Sequence, residues 1–193
     1  DKNSVYIDSI DNLNVQSRDL TFIDSEKSMD YAQEALRLSL KHKYKGGEGY
    51  AYLNLGSLYN LNEIYIVGMD YIQKSLTIFR NNNNPNGLAN CYTSLGLLYG
   101  DLYNFEEQIK YYKRSFNIFN KLNIPNRIAV SSHNLGESYY HKKDYKNSRK
   151  MTLLSIGLSK TLGHLALLSA GYNVMGRIEL SSKNYDKAEV YFQ

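Results

Sequence analysis

The sequence predicts an all-α stack of about five antiparallel helix hairpins, and three observations carry that prediction. First, the pairs Leu55-Gly56, Leu95-Gly96, Leu135-Gly136 and Met175-Gly176 recur every 40 residues, and a fixed period of that length marks stacked supersecondary units. Second, only 2 prolines interrupt 193 residues, so long helices are permitted. Third, Tyr92, Leu95, Gly96 and Tyr99 follow one another by three, one and three residues, which puts all four on one helical face.

Turn and cap signals place the elements in order. A first helix over 3–19 carries Ile7, Ile10, Leu13 and, just beyond it, Leu20; it lacks the Leu-Gly pair, as a terminal capping unit does. Asp24 before Ser25-Glu26 is an N-cap for a helix over 25–43. Lys45-Gly46-Gly47-Glu48-Gly49 reads as a hairpin turn, followed by helices over 47–61 and 64–81. Asn81 to Asn84 with Pro85 form a polar linker, because Asn tolerates left-handed turns. Helices over 86–102, 105–121, 126–141, 145–162, 165–181 and from 185 onward are joined by turns as short as Leu102-Tyr103-Asn104, Lys143-Asp144 and Lys183-Asn184, which demand antiparallel neighbours. The chain stops at Phe192-Gln193, part-way through a second helix, and reads as a piece of a longer protein.

Other columns keep the register of the glycines. Tyr59, Tyr99 and Tyr139 follow each glycine by three; Tyr31, Tyr71, Tyr111 and Tyr191 fall in a second column that Met151 interrupts; Ala35, Ser75, Ser115 and Ser155 form a small-residue column; Pro85-Asn86 and Pro125-Asn126 form another. Glycine inside a helix costs about 1 kcal/mol relative to alanine, so its recurrence implies close approach of a paired helix. Leu76, Ile78 and Phe79, with Phe116, Ile118 and Phe119, fill the layer between units. Cys91, the one cysteine, sits among apolar neighbours as a small core residue.

An aromatic residue, two residues, Leu-Gly, two residues and Tyr, followed by a small residue, three residues and an aromatic, resembles the tetratricopeptide repeat signature. Tyr92-x-x-Leu95-Gly96-x-x-Tyr99 matches its first half, and Ala188 with Phe192 its second; Gln108, Gly68, Ser132 and Glu179 depart from it. The usual repeat is 34 residues, so a period of 40 resembles the long-repeat subclass, with about one extra turn per helix. The resemblance implies a right-handed superhelical solenoid and a single domain over 1–193. A divergent first hairpin would occupy 1–45, repeats 46–84, 85–124 and 125–164, and a truncated last repeat 165–193.

Catalytic and cofactor chemistry finds no residues to carry it. Of the four histidines only His133 and His141 share a helix, eight apart, with no Cys nearby, so no metal site is expected. The glycine run at 45–49 lacks the phosphate-loop pattern. A formal charge of +4 from 23 basic and 19 acidic side chains is too mixed for nucleic acid. The basic clusters Lys41 to Lys45 and His141-Lys142-Lys143 suit helix C-termini. The protein is therefore expected to be a binding scaffold and not an enzyme, without catalytic, cofactor or metal residues and without membrane insertion by this segment.

The family's stacking would place the first helix of each hairpin on a concave surface. At 100° per residue, the positions facing away from the Leu-Gly face are Tyr50, Asn54, Ser57 and Leu61; Asn90, Ser94, Leu97 and Asp101; Val130, Asn134, Glu137 and His141; and Ala170, Val174, Arg177 and Ser181. The expected ligand groove is Tyr50, Asn54, Ser57, Asn90, Ser94, Leu97, Asp101, Asn134, Glu137, His141 and Arg177. Asn54, Ser94 and Asn134 share one column and resemble the ladder with which long-repeat family members hold an extended peptide backbone; an amide can both donate and accept there. Val174 ends the ladder. The Asn-, Tyr-, Lys- and Ile-rich composition resembles repeat sensor or interaction regions of larger bacterial signalling proteins, which slightly favours a periplasmic setting after leader removal. The alternative that the resemblance offers is a cytoplasmic peptide receptor of the quorum-sensing regulator type.

Overall fold

A computed structural model describes residues 2–193, with side chains from Val5 onward. The described residues form ten α-helices and no strand: α1 (Lys2–Leu20), α2 (Ser25–Lys41), α3 (Lys45–Leu61), α4 (Tyr65–Asn81), α5 (Pro85–Asp101), α6 (Phe105–Lys121), α7 (Pro125–His141), α8 (Tyr145–Leu162), α9 (Leu165–Ser181) and α10 (Tyr185–Phe192). They follow the expected order, and Asp24 caps α2 by accepting from the Lys27 N–H at 3.1 Å. One expectation is corrected. Lys45-Gly46-Gly47-Glu48-Gly49 is the first turn and a half of α3 and not a hairpin turn. Its glycines provide clearance: a Cβ on Gly47 would lie 2.5 Å from Ile10 Cγ2, and one on Gly49 2.7 Å from the Phe79 ring.

The turns reveal a half-period of 20 residues. Lys43, Glu63, Asn83, Tyr103, Asn123, Lys143, Gly163 and Lys183 all take positive φ, from 49° to 69°. At each, the N–H of the left-handed residue bonds to the carbonyl three residues back, and the next N–H to the one five back, as in Lys43 to Leu40 and Tyr44 to Ser39. This satisfies carbonyls that a helix end would otherwise leave unpaired. Only position 163 uses glycine, although a left-handed residue bearing Cβ costs roughly 1–2 kcal/mol. Glu63→Gly is therefore expected to raise the unfolding free energy by about 0.5–1 kcal/mol, after allowing for glycine's looser unfolded state; urea titration checks it.

The protein packs as two compact units, Asp1–Leu98 and Tyr99–Gln193, which divide within α5. In the first, Ala32, Leu55 and Leu58 form a buried cluster flanked by Met29, Leu36 and Tyr71. Gly56 meets α4 closely: a Cβ there would lie 2.9 Å from the Gly68 carbonyl oxygen and 2.7 Å from Ile72 Cγ1. The small column also bonds, since the buried Ser75 hydroxyl donates to the Gly49 carbonyl at 2.8 Å and lies 3.1 Å from Cys91 Sγ. Burial pushes the Cys91 thiol up to about 12, so it is an inert core residue. In α1, Ile10 is buried, Leu13 and Leu20 are half-buried and Ile7 is exposed.

In the second unit, Ile109, Tyr112 and Leu135 pack with Phe116, Tyr139 and Met151, and Ile156, Val174, Met175 and Ile178 pack with Tyr140, Tyr145, Leu168, Tyr172 and Tyr191. The two tyrosine columns stack on each other. Tyr59 lies on Tyr71 with centroids 5.4 Å apart in the first unit, and Tyr99 on Tyr111 at 5.4 Å in the second. Where Met151 replaces the partner, Lys113 lies over Tyr139 at 5.5 Å instead. Glu179 stands in the tyrosine column and is buried; it accepts from Arg149 at 2.6 Å and from Asn184 at 2.9 Å, tying α9 to α8 and to the turn before α10.

Candidate ligand-binding face

In the first unit, the predicted groove residues are largely engaged within the protein. Asn54 is 7% exposed and its carboxamide donates to the Asn14 carbonyl at 2.8 Å, while the Asn14 carboxamide donates to the Gly47 carbonyl at 3.1 Å. The two amides bind α1 to α3, so Asn54 is not the open amide that the 100° geometry expects. Asn14 precedes Asn54 by 40 residues and belongs to the same column, the signal that would have found it. Ser57 Oγ lies 3.2 Å from Ser94 Oγ, joining α3 to α5. The Tyr50 ring packs on Phe79 at 4.8 Å. Asn90 is half-buried, and Leu97 is exposed. Asn54→Ala would remove the hydrogen bond that ties α3 to α1 and is expected to cost about 0.5–1.5 kcal/mol of stability, measurable by denaturant unfolding.

In the second unit, the first-helix face of α7 and α9 is more open. Asn134 is half-buried, and its carboxamide makes no hydrogen bond to the other described residues. Glu137 Oε1 accepts from Arg177 Nη1 at 3.2 Å, linking α7 to α9. The Arg177 guanidinium lies 4.2 Å above the Tyr140 ring centroid, whose hydroxyl is 3.3 Å from Ser181 Oγ. His141 is exposed and stacks on Phe105 at 5.2 Å, with Tyr140 edge-on at 5.8 Å. His133 Nε2 lies 3.9 Å from Glu137 Oε2, and burial pushes the pKa of its imidazole down against the opposing pull of Glu137. Asp101 is exposed at the end of α5. Tyr140 and His133 lie outside the groove that the sequence predicts; the spacing of Tyr140 three residues after Glu137 is the signal that could have found it.

Elsewhere in this unit, a pocket of about 520 Å³ is lined by Glu106, Ile109, Lys113, Tyr139, Lys142 and Asp144. Its charges are occupied, Lys142 with Glu106 and Lys113 over Tyr139. Among the described residues, no group of three or more His, Cys, Asp or Glu side chains could hold a metal ion, and no helix is long and apolar enough to cross a membrane.

Comparison with known proteins bears on the fold. No curated protein sequence matches this one. The family model described as Tetratricopeptide repeat matches residues 88–123. The chain is similar to BtubC from P. vanneervenii, with a TM-score of 0.73 and 18% identity over 99% of this chain and 88% of that one. It is similar to aspartyl phosphate phosphatase F from Bacillus subtilis, with a TM-score of 0.77 and 16% identity over 96% of this chain and 58% of that one. It is also similar to a signal transduction ATPase with numerous domains from Pyrococcus horikoshii, which carries a tetratricopeptide repeat sensor, with a TM-score of 0.75 and 16% identity over 94% of this chain and 28% of that one. The chain thus spans less than two thirds of the length of the last two. At such identities the likeness is one of fold: residues 88–123 match the tetratricopeptide repeat model, and the chain has the all-helical hairpin fold of these structures.

Proposed function

We propose that the protein is a protein- or peptide-binding scaffold, the sensory or interaction region of a larger bacterial signalling protein, and that it does no chemistry of its own. The observation that supports this best is the polar face of α7 and α9, where the Asn134 amide, on the same face as the partly exposed Glu137 and Arg177, makes no hydrogen bond to the other described residues. A carboxamide that both donates and accepts suits the backbone of an extended segment of any sequence. The opposite faces of the same helices are filled by Leu135, Met175 and Ile178, so the framework presents these groups without rearranging. The tetratricopeptide repeat sensor of the P. horikoshii protein offers a parallel for the sensory role.

The test is selection of binders from a displayed random dodecapeptide library, followed by affinity measurement on Asn134→Ala. Loss of a ligand hydrogen bond is expected to weaken the selected peptides about tenfold, with helicity unchanged. Peptides that bind Asn134→Ala as tightly as the parent, or failure to select any, would reject this face as the site.

A further inference from the structure

The start of α5 joins a reactive pair to a restraint. Asn86-Gly87 is the one Asn-Gly pair in the chain, and packing requires its glycine: a Cβ on Gly87 would lie 2.5 Å from the Phe79 ring. An asparagine followed by glycine is the pair most open to cyclisation, because a glycine without Cβ lets its nitrogen approach the asparagine Cγ. Asn86 is half-buried, and its Oδ1 is buried without a hydrogen bond from the other described residues. No bond to that oxygen holds the carboxamide away from the Gly87 nitrogen.

The Gly87 nitrogen is occupied instead. Its N–H donates to Asn84 Oδ1 at 2.8 Å, and a nitrogen whose hydrogen is held in this way is a poor nucleophile until the bond opens. The restraint falls where the reactive pair is. Tyr44, Ile124 and His164 precede α3, α7 and α9 without a side-chain cap bond, whereas α5 has one from Asn84. α7 opens with the matching Pro125-Asn126 but continues with Arg127 in place of glycine. The uncapped start thus carries the slow pair and the capped start the fast one.

We propose that Asn86 is a spontaneous deamidation site and that the Asn84 side chain is the catch that restrains it in the folded protein. When the first turn of α5 opens, the Gly87 nitrogen loses its proton to water and attacks Asn86 Cγ. The new C–N bond forms as the Cγ–Nδ2 bond breaks, and ammonia leaves with a proton returned by water. Water then opens the five-membered imide at either carbonyl. Opening at Cγ leaves aspartate at position 86, a negative charge that suits a first turn containing no acidic residue. Opening at the main-chain carbonyl leaves isoaspartate, whose extra main-chain methylene breaks the register of the α5 hydrogen bonds.

The protein is held in mildly alkaline buffer, and mass-spectrometric fragmentation of the tryptic segments 81–110 and 122–127 reads amide loss at Asn86 and, as the in-chain control, at Asn126. Loss is expected at Asn86 and not at Asn126, and about tenfold or more slower in the folded protein than in urea. Asn84→Ala is expected to raise the Asn86 rate about fivefold, the effect of one lost cap on the open population. Asn84→Ser keeps an acceptor oxygen and is expected to stay within about twofold of wild type. Asn54→Ala weakens the same unit away from this turn and is expected to leave the rate unchanged, with circular dichroism checking that each variant is folded. The site is overturned if Asn86 in urea loses its amide no faster than Asn126. The catch is overturned if folded wild type loses the amide as fast as in urea, if Asn84→Ala leaves the folded rate unchanged, or if Asn84→Ser or Asn54→Ala raises it equally.

Discussion

Gly56→Ala is expected to destabilise the protein by about 2–3 kcal/mol, although it adds a single methyl group and replaces a poor helix former with the best one. The added Cβ would lie 2.7 Å from Ile72 Cγ1, 2.9 Å from the Gly68 carbonyl oxygen and 3.2 Å from the Ile72 nitrogen. Two of those three atoms are backbone, so relief requires α3 and α4 to move apart, which loosens the packing of Leu55, Leu58 and Ile72 as well. Gly157→Ala is the matched control. Position 157 is exposed in the body of α8, and a Cβ there meets nothing within 4 Å. Helix propensity then acts alone and is expected to stabilise by about 0.5–1 kcal/mol. Opposite signs for the two Gly→Ala changes in chemical denaturation check that close helix approach, and not flexibility, explains the recurrent glycine; equal effects contradict it.

Glu179→Ala is expected to be the costliest change of a charged residue, about 2–3 kcal/mol, because hydrogen bonds to charged groups in partly buried sites are worth that order. Arg149 keeps 38% of its side chain in solvent and can rehydrate, which holds the figure below that of a fully buried pair. The same residue gives a pH dependence. The bonds from Asn184 and Arg149 hold its carboxyl below the ordinary glutamate value of 4.5. The unfolded state therefore takes up the proton first. The stabilisation is complete above 4.5 and is lost as pH falls through the lower folded value. Acid titration of stability should show wild type and Glu179→Ala converging below pH 4.5; a constant gap between them would rule out the ionised pair as the cause.

Side-chain periodicity alone makes the helices and the core legible. Leu55, Leu95, Leu135 and Met175 are all buried, as the recurring pairs require. Glu179 reads in the sequence as a lapse in the tyrosine column, and only the positions of Arg149 and Asn184 show it to be an alternative tie. The 20-residue half-period is hidden in the sequence because backbone hydrogen bonds set it, and the eight turn positions carry Lys, Glu, Asn, Tyr and Gly without preference. Glycines 46, 47 and 49 resemble a turn because glycine marks turns and close approaches alike; Ile10 and Phe79, distant in sequence, decide between the two.

The candidate site is legible in its columns and not in its contacts. Angular reckoning on an isolated helix places Asn54 and Asn134 identically, yet Asn54 is sequestered by Asn14 on α1 while Asn134 is not. What distinguishes them is the neighbouring helix, which a single helical wheel omits. Glu137 and Arg177 lie 40 residues apart and could have been paired by reading their column for complementary charge.

Binding of an extended polypeptide segment to the first-helix face of α7 and α9, as proposed above, is checked by mapping the amide and side-chain resonances that shift when a selected peptide is added. The predicted result is a set of shifts running over Asn134, Glu137, Tyr140 and Arg177 with α8 residues such as Lys150 and Leu154 unmoved. Shifts concentrated on α8, with Asn134 and Arg177 silent, would contradict it.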